Sequence, residues 1–412
     1  MARKKGNALR IIVGVLGAAV LVLSAGLIVS GRFSARLQGG ENTPSEQPET
    51  TVLDSEVQEV LDSLSLEQKV AQMFFITPES LTGYSRVTQA GNASKEAFAK
   101  YPVGGLVYFA QNLRDPEQTR TMLGNMQQFS EEQTGLPLFL GVDEEGGTVV
   151  RIADNAAFGV ENIGDMADIG ATGDSSKAYD VGETLAGYLK DLGFNVDFAP
   201  VADVFSNPKN TVIGKRSFGS DPNVVSEMVV QAVEGLQDNG VAAAVKHFPG
   251  HGNTTQDSHS GYASSDRTLE ELQSMEFLPF EAGVAAGTDF IMVGHITLPN
   301  ATEEQSPSSI NKEVVTDMLR TGLGYSGLII TDAMNMGAIT QEYKSAEAAV
   351  KAIQAGVDIV LMPEDFQAAY EGVLAAVEDG TLTEERIDES VARIIAEKLA
   401  IQNESLNSDV VG

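Results

Sequence analysis

The sequence predicts an α/β protein: a (β/α)8 TIM-like barrel, preceded by an N-terminal transmembrane helix and a flexible linker. Three observations carry this. Eight short apolar runs recur along the chain, helical patterns lie between them, and ionisable residues stand at the ends of several runs. The runs are continuous and not alternating, so each strand is expected to be buried on both faces, as in parallel sheets.

The elements follow in order. Ile11 to Val29 carries no charge and is almost entirely aliphatic, Gly or Ala. At about 1.5 Å per residue it spans roughly 28 Å, close to the hydrocarbon thickness of a bilayer. Arg3, Lys4, Lys5 and Arg10 precede it and only Arg32 and Arg36 follow closely. That asymmetry keeps the N-terminus in the cytoplasm and exports the rest. Residues 1–32 are therefore expected to form a membrane anchor, or a signal segment if cleaved, with no clean Ala-x-Ala cleavage site. The expected location is extracytoplasmic, tethered to the cytoplasmic membrane. Residues 33–53, rich in Gly, Glu, Ser, Thr, Pro and Gln, read as a linker. The folded body is expected from about Asp54 to residue 402, with a tail over 403–412.

The eight runs are Gln72–Thr77, Gly105–Phe109, Leu138–Asp143, Val196–Pro200, Ala243–Phe248, Phe290–His295, Gly327–Asp332 and Val357–Met362. Helical spacing of apolar residues is found over 175–192, 223–236, 268–286 and 346–355. Gly193, Gly240, Gly287 and Gly356 follow these segments, as expected of helix C-termini. An open doubly wound sheet is the alternative. It requires a Gly-rich phosphate loop after the first strand, and none is present. The roughly fifty residues after the eighth run read as helices, so a single domain is expected.

Hydrophobic residues make up 42% of the 412, enough for a full core. Cysteine is absent, which excludes disulfides, thiolate metal sites and a cysteine nucleophile. The formal net charge of −31 disfavours nucleic acid as a partner.

In barrels of this kind chemistry sits at the C-terminal strand ends. Asp143, Lys246, His247, His295 and Asp332 all stand there, so closure of the barrel would gather them around one mouth. Three of the four histidines lie between His247 and His259, in a stretch that also holds Lys246, Pro249, Gly250, His251 and Asp257. Asp257 beside His259 is a carboxylate that can orient an imidazole and raise its basicity, a pairing suited to a general acid that becomes a base. His247 and His251 cannot form a helical zinc pair across Pro249 and Gly250; a loop zinc site with Asp257 and His259 is the weaker alternative, and no metal or cofactor is expected. Arg151 and Arg216, in loops after the third and fourth runs, offer rigid forks of donors. Asp332 and Asp143 also admit a helix-capping role. Glu144 and Glu145 admit simple solvation.

Lys246-His247-Phe248-Pro249-Gly250-His251-Gly252, followed by Asp257-Ser258-His259, resembles glycoside hydrolase family 3 in its β-N-acetylhexosaminidase branch. Four further motifs agree in order: Val142 to Arg151, Asp197 to Asp203, Gly214 to Gly219 and Ile330 to Met336. The resemblance covers roughly Leu53 to Leu399. It implies a retaining exo-β-N-acetylglucosaminidase acting on cell-wall (peptidoglycan) fragments or chitin oligomers through a covalent glycosyl-enzyme. It also implies Asp332 as nucleophile, His259 with Asp257 as acid/base, and sugar binding by Asp143, Arg151, Arg216, Lys246 and His247. A carbohydrate containing N-acetylglucosamine is the expected partner, and a monomer the expected state. A phosphorylase or β-glucosidase of the same family and a non-catalytic glycan-binding protein are the alternatives. Two departures stand out: Asn253 occupies a position where members often have Asp, and no counterpart of the second domain of many relatives is expected in the roughly fifty residues after the eighth run.

Overall fold

The computed structural model describes residues 49–254 and 263–411. The expected membrane segment, residues 33–48 of the expected linker, Asp257 and His259 lie outside the described residues. Among those described, no helix is long and apolar enough to cross a membrane.

Eight parallel strands form the sheet: β1 Phe74–Ile76, β2 Gly105–Val107, β3 Phe139–Val142, β4 Val196–Asp197, β5 Ala242–Phe248, β6 Phe290–Val293, β7 Leu328–Thr331 and β8 Val360–Leu361. They run in the order β8-β1-β2-β3-β4-β5-β6-β7. A parallel bridge between Ile330 and Ile359 joins the two ends, with Thr331 N donating to Ile359 O at 3.1 Å. The ring so formed is the expected (β/α)8 barrel. Seven strands fall inside their apolar runs, β5 begins one residue before its run, and every residue of the eight strands is buried.

Inside the barrel the Phe75 ring lies 6.4 Å from Phe139 and 5.3 Å from Phe198, and Phe139 meets Phe290 at 5.3 Å. Gly141 makes room for this packing. A Cβ there would come 2.7 Å from the Phe75 ring, closer than non-bonded carbons approach.

Local chemistry explains the helix boundaries. Asp115 caps Pro116–Thr134 and Asp221 caps Pro222–Gln237; in both, proline takes the first turn, where its missing N–H costs nothing. Ser176–Leu192 and Ser345–Ala355 end on Gly193 and Gly356, both with positive φ. The expected single helix over 268–286 is instead two, Leu269–Ser274 and Leu278–Ala285. Pro279 is the physical reason. It cannot donate within a continuous helix, and the chain restarts so that Pro279 sits in a new first turn.

The ends also differ from expectation. The helix Glu49–Ser63 begins inside the expected linker and packs against the last helix, Glu384–Val411, which runs through 403–411, the expected tail. That last helix also crosses the floor of the barrel. Lys398 lies there, its Nζ 2.7 Å from Gln72 Oε1 and over the Phe139 ring. The chain on the far side of residues 255–262 is tied to the mouth by a two-strand parallel pairing of Ala263–Ser264 with Ile296–Thr297.

Candidate active site

Asp143 is the first residue beyond β3, and the turn after it is built by its neighbour. Glu144 is fully buried and faces away from the mouth. Its carboxylate accepts the backbone N–H groups of Arg151 at 2.5 Å, Ile152 at 3.0 Å and Ala153 at 2.9 Å, and the Tyr188 hydroxyl at 2.9 Å. The intervening turn uses Gly146 and Gly147 at φ of 89° and 58°, left-handed values that only glycine adopts freely. This loop returns Arg151 to the mouth, 3.5 Å from Asp143 and over the Phe109 ring.

Lys246 reaches the same place from β5, with its Nζ 3.0 Å from Asp143 Oδ1 and 2.6 Å from Glu145 Oε1. Arg216, in the turn Gly214–Arg216, donates through Nε at 2.8 Å and through a terminal nitrogen at 2.7 Å to the two oxygens of Glu145. The same terminal nitrogen lies 3.4 Å from His247 Nε2. Burial alone would raise the Glu145 carboxyl, but Arg216 and Lys246 hold it well below the usual carboxylate range. Burial would likewise lower Lys246, and Glu145 and then Asp143 keep it above its ordinary value.

His247 is oriented by Asp203. Its Nδ1 lies 2.7 Å from Asp203 Oδ2, while Asp203 Oδ1 accepts the His251 N–H at 2.5 Å. Burial works against the Asp203 anion, yet the two histidines keep its pKa depressed. The carboxylate takes the Nδ1 hydrogen, so His247 Nε2 is left facing Arg216. His251 turns its Nδ1 to Thr254 Oγ1 at 2.8 Å, and burial lowers its pKa. Among the described residues no group of three His, Asp or Glu side chains could hold a metal ion. Asn253 accepts the Ser265 hydroxyl at 3.2 Å, so the position that departs from the expected Asp still links the two flanks of residues 255–262.

Asp332 follows β7 and is half-buried. Its N–H donates to Val293 O at 2.8 Å, and its Oδ1 accepts the Ala333 N–H at 2.7 Å. Burial would raise its pKa. His295 first, then His247, the Ala333 N–H and Lys246 outweigh that and leave the carboxylate ionised. His295 is buried, with Nε2 3.0 Å from Ala333 O and Nδ1 2.7 Å from Ser309 Oγ. It thus holds the C=O of the residue whose N–H donates to Asp332. Deeper in the barrel, burial and then Glu144 push Asp197 well above the carboxylate range, although it accepts the Glu144 N–H at 3.0 Å.

The barrel therefore brings together Asp143, Arg151, Arg216, Lys246, His247 and Asp332, six of the eight residues singled out in the sequence. Asp257 and His259 lie outside the described residues.

Residues 65–396 match the model of the glycosyl hydrolase family 3 N-terminal domain. The chain belongs to glycoside hydrolase family 3. This family 3 chain is 34% identical over 335 residues to beta-hexosaminidase A of Pseudoalteromonas piscicida, covering 75% of itself and 55% of that protein. It is 31% identical to beta-hexosaminidase LpqI of Mycobacterium tuberculosis, over 92% of itself and 96% of the relative. Among solved structures it resembles a family 3 beta-N-acetylglucosaminidase of Paenibacillus sp. str. FPU-7, with a TM-score of 0.76 and 38% identity. That match covers 82% of this chain and 63% of the other. It also resembles the M. tuberculosis LpqI structure, with a TM-score of 0.72 and 30% identity, over 83% and 96% of the two chains. The family 3 chain thus spans little more than half of one of these relatives and nearly all of another.

Sequence reasoning left three residues of the family 3 mouth without a role: Glu145, Asp203 and His295. Each is buried and each acts through a neighbour. Glu145 and Asp203 already stood inside recognised motifs; His295 was marked only by its place at a strand end.

Proposed function

We propose that this family 3 chain is a retaining exo-β-N-acetylglucosaminidase that removes terminal β-linked N-acetylglucosamine from cell-wall fragments or chitin oligomers. The observation that carries the reading is Asp332. It is an ionised carboxylate at the end of β7, within electrostatic reach of the Lys246 and His247 cluster. The relatives named beta-hexosaminidase support the substrate class.

In the first step an Asp332 oxygen attacks the anomeric carbon, and the bond from that carbon to the leaving oxygen breaks. His259, oriented by Asp257, gives its proton to the leaving oxygen, and a glycosyl-enzyme ester remains. In the second step the neutral His259 takes a proton from water, the hydroxide attacks the anomeric carbon, and Asp332 leaves as the carboxylate. Asp143, Arg151, Arg216, Lys246 and His247 bind the hydroxyls of the terminal sugar. The 11–29 segment anchors the enzyme outside the cytoplasmic membrane.

The test is release of the aryl group from an aryl β-N-acetylglucosaminide by wild type, Asp332→Ala and His259→Ala. Turnover is expected to vanish in the first variant. In the second it should fall by about 10²–10⁴-fold, the usual worth of a general acid and base. Wild-type rates in both variants would refute the mechanism. Formation of sugar-1-phosphate on adding phosphate would make the enzyme a phosphorylase.

A further inference from the structure

We propose that Glu145 is a positioning residue for substrate binding, whose carboxylate holds Arg216 and Lys246 in place as sugar donors; this rests on the reading of the mouth as a sugar site. Glu145 is buried, and Arg216 and Lys246 take up both of its carboxylate oxygens. Three donors converge on its two oxygens: Arg216 Nε at 2.8 Å, an Arg216 terminal nitrogen at 2.7 Å and Lys246 Nζ at 2.6 Å. Arg216 comes from the turn after β4 and Lys246 from β5, and the two repel each other, Arg216 acting to lower the Lys246 pKa. A shared anion between them removes that repulsion. It also removes the freedom of two long side chains, so a sugar meets donors already in position.

The arrangement leaves each cation with unused capacity. Lys246 carries three donors and gives two of them, to Glu145 and Asp143. Arg216 carries five N–H donors and gives four, two to Glu145, one to Val212 O and one toward His247 Nε2. The charged and titratable groups that bear on Lys246 are Glu145 and Asp143 from the β3 end, Arg216 from its turn, His247 next to it, Asp197 in β4 and Asp332 after β7. Glu145 is the strongest of the anions in keeping Lys246 charged.

A role in mere packing and a role in positioning separate by experiment. KM and kcat on an aryl β-N-acetylglucosaminide, the pH dependence of N-acetylglucosamine binding by calorimetry, and thermal unfolding are measured for wild type, Glu145→Gln and Glu145→Asp. Glu145→Gln loses hydrogen bonds to two charged groups, so its KM should rise roughly ten- to hundredfold. Its kcat should change less than its KM, and the basic limb of N-acetylglucosamine binding should move to lower pH as Lys246 loses its proton more easily. Glu145→Asp keeps the charge, so that limb should stay in place and KM should rise less. A Glu145→Gln enzyme with wild-type KM and pH profile overturns the proposal. So does an aspartate variant whose basic limb moves as far as the glutamine variant's. If Glu145→Gln does not fold, the aspartate variant decides: an unchanged KM refutes the role, and a raised KM with the limb in place supports it. Wild-type protein that leaves this substrate intact refutes the activity instead. Calorimetric binding of N-acetylglucosamine then tests Glu145, with at least tenfold weaker binding expected in Glu145→Gln and equal binding overturning the role.

Discussion

Asp332 shows how much a single side chain depends on its second neighbours. His295 Nε2 donates to Ala333 O, and the Ala333 N–H in turn donates to Asp332 Oδ1. The same imidazole is the first of the influences that keep Asp332 ionised despite burial. His295→Gln retains a donor for Ala333 O and removes the chargeable ring. With that influence gone the Asp332 pKa rises, so the nucleophile is protonated at a higher pH than in wild type. The acid limb of kcat/KM is therefore expected to shift to higher pH, with activity near neutrality largely kept. A pH–rate profile of the variant checks this, and an unmoved acid limb refutes it. Asp332 itself was legible in the sequence, since a carboxylate ending a buried strand needs a reason. The roles of His295, Asp203 and Glu145 were not, because their partners lie up to 71 positions away along the chain and meet them only when the barrel closes.

At the scale of elements, the loop after β3 depends on an anion where a strand or helix would use its own carbonyls. Glu144 accepts three successive backbone N–H groups and a tyrosine hydroxyl, with no solvent to replace it. Glu144→Gln turns an amide N–H₂ toward donors. It is expected to cost about 1–3 kcal/mol, the usual penalty for buried groups left unpaired. Urea unfolding measures that loss. Because the loop returns Arg151 to Asp143, KM should rise as well; a variant with wild-type stability and KM would show that the loop folds without this carboxylate. The strands themselves were legible because both faces are buried and the runs are uninterrupted. The break between Ser274 and Leu278 was not legible from periodicity alone, since apolar spacing continues across it and only Pro279 marks the restart.

For the whole molecule, the floor of the barrel carries a strained charge. Lys398 is completely buried, and burial lowers its pKa to about 7, against roughly 10.4 in an unfolded chain. A lysine with a depressed folded pKa penalises folding while the unfolded chain is protonated. That penalty is full below about pH 7 and fades as pH rises toward about 10.4. Lys398→Met keeps the apolar stem over Phe139 and removes the charge. It should unfold at a higher temperature than wild type at pH 6, with the difference narrowing by pH 9; calorimetry at the two values tests it, and a difference that does not narrow refutes the assignment. The barrel class was legible in the spacing of strands and helices. The last helix was legible as far as residue 402, where Leu399 and Ile401 are buried in the core; its continuation through 403–411 was not, because that stretch is polar and reads as a tail.

The mouth and the rest of the surface differ in electrical character. Among the described residues, four carboxylates at the mouth (Asp143, Glu145, Asp203 and Asp332) stand among the fixed cations Arg151, Arg216 and Lys246, so their charges come close to balance. The chain as a whole is at −31. An uncharged saccharide can therefore enter without an electrostatic toll. A polyanion is turned back by the body of the protein from about a screening length away, roughly 8 Å at physiological ionic strength. The excess of acidic residues thus acts as a filter at a distance, rejecting charged polymers that the mouth, by its own charge, would not exclude.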